Sequence, residues 1–504
     1  MGDLHPKSPQ LPHILIVPTP GMGHLFPLIE FSKRLVAQHD IAITFIVPND
    51  GSSSIELQKK LLQSLPSPIS SDFLPPVNMD DLTAETPIED RIELTLTRSL
   101  PALRQTLETL TESTHYAALV VDVFGPAAFE VAQEFNIPPY IFFPTTATVL
   151  SFFFYLPKLD AITSAEYRYL PDPVQLPGCI PIEGRDFFSP LHDRKTQTYR
   201  AFVRMAEKYN LAAGIMVNSF VDLEPGPFKA IIDRIHGNPP IYPVGPLTQT
   251  GSSNSSSEPE CLRWLDNQPK GSVIFVSFGS GGTLSQEQFT ELATGLELSG
   301  QRFLWVIRSP SDKASSAFFT LKSQKSPFDY LPDGFLERTK GLGLVVDSWA
   351  PQVRVLAHGS TGGFLTHCGW NSTLESVVHG VPLVAWPLYA EQKMNAVLVG
   401  ESGLNVGVRV KMNEKGMVGR EEICEYVKNL MEGEEGKVMK KRMSELKEAA
   451  KLALGHEGSS TKSLAEVAQI WKGPSSPTNV YCPQRFLQLP YCLTFFFLHP
   501  PSKV

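Results

Sequence analysis

Short apolar runs alternate with helix-patterned stretches along this chain, and a serine-rich interval near the middle interrupts the alternation before it restarts. His13–Val17 (HILIV) ends at Pro18-Thr19-Pro20-Gly21 and reads as a buried strand. Leu28, Phe31 and Leu35 follow at helical spacing behind Pro27, which places the proline in the first turn of a helix. Ile41–Val47, Ala117–Val121 and Pro139–Phe143 are further strand-like runs. Strands separated by helices imply a parallel sheet covered on both faces. The stretch TGSSNSSSEPE at 250–260 cannot bury much and reads as a linker. Beyond it come strands at Val273–Ser277, Phe303–Ile307, Gly343–Val346, Gly363–Thr366 and Pro382–Trp386. Ser285 and Gln288 stand in capping-box spacing at the start of a helix whose apolar face is Phe289, Leu292, Ala293 and Leu296. A chain of 504 residues exceeds what one core organises, so two α/β halves are expected, with ligands in the cleft at the carboxyl ends of their strands.

Charge and cysteine usage narrow the function classes. The formal net charge is −8, from 44 basic and 52 acidic side chains, with no basic stripe to draw in nucleic acid. Cysteines 179, 261, 368, 424, 482 and 492 show neither zinc-site nor CxxC spacing, so isolated thiols in a reducing compartment, and no metal, are expected. The N-terminus lacks a signal-peptide pattern, and Pro6 stands where a myristoylation motif wants Ser or Thr. The longest apolar stretch, Thr148–Leu156, is about half of a membrane span. A cytoplasmic protein without a membrane span is the expectation. Residues 309–329 read as a polar surface loop, 414–451 as solvated helices, and the proline-rich segment 473–504 as a poorly ordered tail.

Two loops carry the candidate chemistry. Pro20-Gly21-Met22-Gly23-His24 resembles a dinucleotide fingerprint only in part, because Phe26 replaces the third glycine and the second strand has no acidic partner. His24 at a helix N-terminus is expected to stay neutral, since the dipole disfavours the imidazolium, and to serve as a general base. Asp122 follows the apolar run Leu119–Val121 and could fix the histidine tautomer. Both residues also read simply as helix caps. In the second half, the strand Gly363–Thr366 runs into His367-Cys368-Gly369-Trp370-Asn371-Ser372, with Ser372 and Glu375 in capping-box spacing. Such a turn presents backbone N–H groups and a positive helix end to an anion. Asn371 and Ser372 as plain caps is the alternative.

The 44-residue segment Trp349–Gln392 closely resembles the signature box of plant family-1 glycosyltransferases that use UDP-sugars, from Trp-Ala-Pro-Gln to Glu-Gln. CLRWLDNQPKGSVIFVSFGSGGTLS (261–285), FLPPV (73–77), LVVDVFG (119–125) and YAEQKMNAV (389–397) extend the resemblance over about residues 10–472, to the hydroquinone glucosyltransferase (arbutin synthase) group. The resemblance implies an α/β fold of two facing Rossmann-like domains, the GT-B type, with a cleft between them. It implies an acceptor-binding domain 1–249, linker 250–260, UDP-sugar domain 261–455, a helix 456–472 returning to the first domain, and an atypical tail 473–504. Trp349 would stack on uracil and the Ala350 backbone would bond its edge. Gln352 and Glu375 would reach the ribose; His367, Asn371 and Ser372 would hold the diphosphate, with Gly369 allowing close approach. Trp370, Glu391 and Gln392 would bond glucose, Gln392 favouring it over galactose. Ser280 and Thr283 would sit near the phosphates and Thr145 near the sugar. His24 and Asp122 match the family's catalytic pair. Phe124, Phe142, Phe152, Phe153 and Phe154 either line an acceptor pocket or belong to the core.

The resemblance thus implies an inverting, UDP-glucose-dependent glucosyltransferase for small phenols or monolignols, monomeric, using UDP-glucose as co-substrate with no metal and no other cofactor. An NAD(P)-dependent oxidoreductase and a non-catalytic small-molecule binder are the alternatives on a Rossmann scaffold.

Overall fold

The computed structural model describes residues 11–52, 54–83, 86–233, 239–249, 258–312 and 325–473. Most of the linker at 250–260, the middle of the 309–329 loop, the tail beyond 473, Cys482 and Cys492 lie outside the described residues.

Two parallel sheets organise the chain. The first contains β1 (His13–Val17), β2 (Ala42–Asn49), β3 (Ile69–Pro76), β4 (Tyr116–Val121), β5 (Pro139–Phe143), β6 (Gly214–Val217) and β7 (Ile241–Pro243). Its order is β3-β2-β1-β4-β5-β6-β7. The second contains β8 (Val273–Ser277), β9 (Arg302–Ile307), β10 (Gly343–Asp347), β11 (Thr361–Thr366), β12 (Leu383–Ala385) and β13 (Gly407–Arg409), in the order β10-β9-β8-β11-β12-β13. Each sheet starts in its middle, runs to one edge, then returns to fill the other side. The turning points lie between β1 and β4 and between β8 and β11, and crevices open there at the strands' carboxyl ends.

Four of these strands, β3, β6, β7 and β13, have no counterpart in the sequence reading. β3 is an edge strand with Ser70 exposed, Ser71 half-buried and terminal prolines. The other three are only three or four residues long, too short to display a period.

Apolar clusters cover both faces of both sheets. Leu464, Val467, Ala468 and Trp471 of the final helix, Ser459–Lys472, pack into the first lobe's core beside Phe31 and Tyr140. Phe220 and Leu223 join the second lobe's cluster, and Met394 joins the first lobe's. The lobes therefore share buried apolar surface.

Three local expectations are corrected. The first helix spans Met22–His39, so Pro27 lies inside it rather than in its first turn. An interior proline costs roughly 3 kcal/mol relative to alanine, and burial of Leu25, Leu28, Phe31 and Leu35 on one face offsets it. Ser285 caps its helix by accepting from the Gln288 N–H, but the Gln288 side chain turns away and bonds both backbone groups of Val418. Ser372 and Glu375 form no capping box either. Their helix begins two residues earlier, at Trp370, with Gly369 as its unassisted cap.

Candidate active site

The loop after β1 and the end of β4 meet at the first turning point. Asp122, fully buried, accepts from His24 Nδ1 at 2.9 Å. The same carboxylate oxygen accepts the Thr19 N–H at 3.3 Å and the Thr19 hydroxyl. Its other oxygen takes the Phe124 N–H at 3.1 Å, a local turn of the kind aspartate favours. Because carboxylate oxygens accept, His24 Nδ1 carries a proton, and in the neutral ring Nε2 keeps its lone pair. The His24 side chain is 27% exposed, so that lone pair belongs to a ring that solvent or substrate can reach. Phe124 stacks on the imidazole with centroids 5.8 Å apart, and Phe202 meets Phe124 edge-on.

The electrostatics correct the expectation for His24. Burial pulls its pKa down, but the hydrogen bond to Asp122, the Asp122 charge and the Glu391 charge together raise it above the ordinary histidine value. Two carboxylates outweigh the burial. A base so tuned holds an abstracted proton more firmly than free imidazole.

The loops after β8 and β11 meet at the second turning point. The first bond of the helix Trp370–His379 is Thr373 N–H to the Gly369 carbonyl, so the N–H groups of Trp370, Asn371 and Ser372 precede its ladder. His367 is buried beside this helix start, and burial plus the Arg308 charge push its pKa down to about 4. It is neutral at physiological pH and can donate one N–H. A Cβ at Gly279 or Gly369 would come within 2.5 Å of the His367 ring. Glycine at 369 is thus required by the neighbouring imidazole, a constraint absent from the sequence reading. Thr283 is buried and Ser280 exposed on the β8 loop, and Thr283 shares a small recess with Gly279 and Arg308.

Gln352 Nε2 donates to Ser372 Oγ at 2.9 Å and to Glu375 Oε2 at 2.7 Å, gathering three of the expected nucleotide ligands. Trp349 lies 68% exposed, a large apolar face left open, while Ala350 beside it is buried. Three residues expected at this site follow non-glycine residues in the left-handed region: Ser348 (φ 62°) before Trp349, Cys368 (φ 62°) before Gly369, and Ala390 (φ 51°) before Glu391. Such backbone is uncommon and tends to gather at functional loops.

Contacts between the lobes complete the site. Asn371 Nδ2 donates to the Gly23 carbonyl at 2.7 Å. Thr145 Oγ1 lies 3.5 Å from Glu391 Oε1, which also accepts from Asn395. Arg409 clamps Asp186 through two bonds of 2.9 and 2.6 Å. The Trp370 indole N–H donates to the Asn218 carbonyl at 2.7 Å. That last bond narrows the expected glucose contact of Trp370 to its backbone. The indole has one N–H and spends it, leaving only the backbone N–H of Trp370 for a sugar. Gln392 Oε1 is likewise occupied, by the N–H groups of Leu388 and Tyr389, leaving its amide NH₂.

Known proteins resemble this chain in sequence and fold. The model of the family described as "UDP-glucoronosyl and UDP-glucosyl transferase" matches residues 250–450. A hydroquinone glucosyltransferase of Rauvolfia serpentina is 58% identical over 468 residues, covering 93% of this chain and 99% of that protein. This chain belongs to the UDP-glucosyl transferase family. UDP-glycosyltransferase 72B1 of Arabidopsis thaliana is 56% identical, over 92% of this chain and 97% of that one. Among solved structures, Phytolacca americana UGT2 complexed with UDP-2fluoro-glucose and pterostilbene superimposes with TM-score 0.85 at 50% identity, covering 91% and 99% of the two chains. A Polygonum tinctorium UDP-glucosyltransferase capable of glucosylating indoxyl, in complex with 3,4-dichloroaniline, gives 0.85 at 51% identity, covering 92% and 99%.

Family membership replaces the nicotinamide oxidoreductase reading with a UDP-glycosyltransferase of the two-lobed GT-B fold. In this transferase the aromatic residues divide. Phe142, Phe152 and Phe153 are fully buried core, and Phe142 faces the opposite side of the sheet from the other two. Phe124 and Phe154 are only partly buried. Thr19, Phe202, Asn218, Asp186 and Arg409 escaped the sequence reading. Thr19 stood in the quoted Pro-Thr-Pro-Gly turn, but its partner lies 103 residues away. Asp186 and Arg409 are 223 residues apart and carried no signal at all. Among the described residues no helix is long and apolar enough to cross a membrane. No group of three or more His, Cys, Asp or Glu there could hold a metal ion, and cysteines 179, 261, 368 and 424 are free.

Proposed function

We propose that this transferase moves glucose from UDP-glucose to the hydroxyl of a small phenol, with His24 as general base and inversion at the anomeric carbon. The observation that carries the reading is the 2.9 Å bond from His24 Nδ1 to Asp122, which makes Nε2 the ring atom that can take up a proton once the pH is above the His24 pKa. The acceptor hydroxyl gives its proton to Nε2 as its oxygen attacks C1 from the face opposite the diphosphate. Asp122, held by Thr19 and Phe124, steadies the imidazolium that forms. UDP departs toward the start of the helix Trp370–His379. Its growing charge meets the N–H groups there, the Asn371 amide and neutral His367, each such donor worth roughly 3–4 kcal/mol of the barrier.

On the donor side, Trp349 and Ala350 bind uracil, Gln352 and Glu375 the ribose, and Ser372, Ser280 and Thr283 the phosphates. Glu391, the Gln392 amide, Thr145 and the Trp370 backbone N–H bind glucose. Supporting the phenolic acceptor are the relative named for hydroquinone and the pterostilbene complex, together with Phe124, stacked on His24 and met edge-on by Phe202. A flat aromatic acceptor can pack on such rings. The test is a panel of phenols, flavonoids and monolignols assayed with UDP-glucose and UDP-galactose. Glucosylation of simple phenols at the highest kcat/KM, with β-glucoside products from the α-linked donor, is expected. Retained configuration would overturn the mechanism, and preference for UDP-galactose the donor assignment.

A further inference from the structure

In an α-helix the residue at position 27 donates its N–H to the carbonyl of Gly23. Pro27 has no N–H, and its ring crowds the carbonyl four residues back. Pro27 is buried within the helix Met22–His39, so this defect is fixed in the fold. The released Gly23 carbonyl takes the side-chain amide of Asn371 from the other lobe at 2.7 Å, across 348 residues of chain. Gly23 immediately precedes His24, and Asn371 is the second residue of the helix Trp370–His379. The contact therefore joins the two helix starts that face the cleft.

We propose that Pro27 and Asn371 form a latch that positions His24 over the donor site. Asn371 has two amide N–H groups, of which Gly23 takes one and the other remains for a phosphate oxygen. The donor thus binds without breaking the latch, and one side chain touches both the leaving group and the turn that carries the base. Pro27 acts through Gly23 and touches neither substrate; it is a positioning residue. This inference rests on His24 being the base only for its consequence on rate, not for the latch itself.

The first test uses the full-length enzyme without ligand. Asn371→Ala is expected to raise amide hydrogen exchange in residues 22–28 severalfold; unchanged exchange would overturn the latch, whatever His24 does. The second is a double-mutant cycle. Pro27→Ala restores the intrahelical donor and is expected to lower kcat roughly three- to tenfold while the Kd for UDP stays unchanged. In that background Asn371→Ala should cost at least about threefold less in kcat than in the wild type. Equal costs in both backgrounds would remove Pro27 from the mechanism. Weaker UDP binding by Pro27→Ala would assign it to the donor site instead. A His24→Ala variant with undiminished activity, together with faster exchange in Asn371→Ala, would keep the latch and discard the base.

Discussion

Gln352 lies 2.7 Å from the Glu375 carboxylate and holds it in a site where burial raises the glutamate's pKa to about 7. An ionised carboxylate accepts two ribose hydroxyls, whereas a protonated one offers a donor in place of an acceptor. Glu375 is ionised above its pKa and gains a proton as the pH falls through about 7. Uridine, which lacks titrating phosphates, should therefore bind more weakly at pH 6 than at pH 8. Calorimetry across that range checks the direction, and Glu375→Gln should abolish the dependence.

Removing the same side chain separates binding from chemistry. In Glu375→Ala the KM for UDP-glucose is expected to rise well beyond any fall in kcat, because ribose contacts are the same in ground and transition states. A variant with normal KM and depressed kcat would place Glu375 elsewhere in the mechanism.

His24→Ala deletes the group proposed to take the acceptor proton. Glucosylation of a phenol should drop by roughly 10²–10⁴-fold with UDP affinity nearly intact. Steady-state rates and a binding isotherm on one preparation decide the matter; parallel losses of both would refute the base.

Asp122 is expected to set the pH at which the proposed base works. The His24 pKa is raised, chiefly by Asp122 acting against burial, so activity should climb as pH rises through a value above the ordinary histidine range. Asp122→Asn removes the carboxylate but not the burial. The acid limb of the kcat/KM profile is then expected to shift to lower pH while the plateau falls. An unmoved limb would mean that some other group titrates.

The segment beyond Gly473 is expected to be dispensable. The final helix already places Leu464, Val467, Ala468 and Trp471 in the first lobe's core. A chain truncated after Gly473 should keep its melting temperature and turnover, and a drop in either would give the tail a structural part.

Much of the fold was legible because its determinants are local. β1, β5 and β8 occupy the residues that their apolar runs marked, and Gly, Pro and Ser punctuate the turns that follow. Short or edge strands such as β7, β13 and β3 were hidden, since three residues or a half-exposed run show no period. Pro27 misled for a physical reason. Local propensity places proline at a helix start, and only the buried face of Met22–His39 could outweigh that preference.

The site divides along the same line. Its chemical inventory, from His24 and Asp122 to the run Trp349–Gln392, was written in consecutive residues and turn-forming neighbours. The tertiary structure alone decided how those groups are engaged: Asp122 against His24 across 98 residues, Trp370 spent on Asn218 across 152, Asn371 on Gly23 across 348. It also decided that two carboxylates win over burial at His24. Such outcomes depend on which distant segments share a dehydrated space, where a hydrogen bond or charge acts strongly over a few ångströms and leaves no trace in the order of the residues.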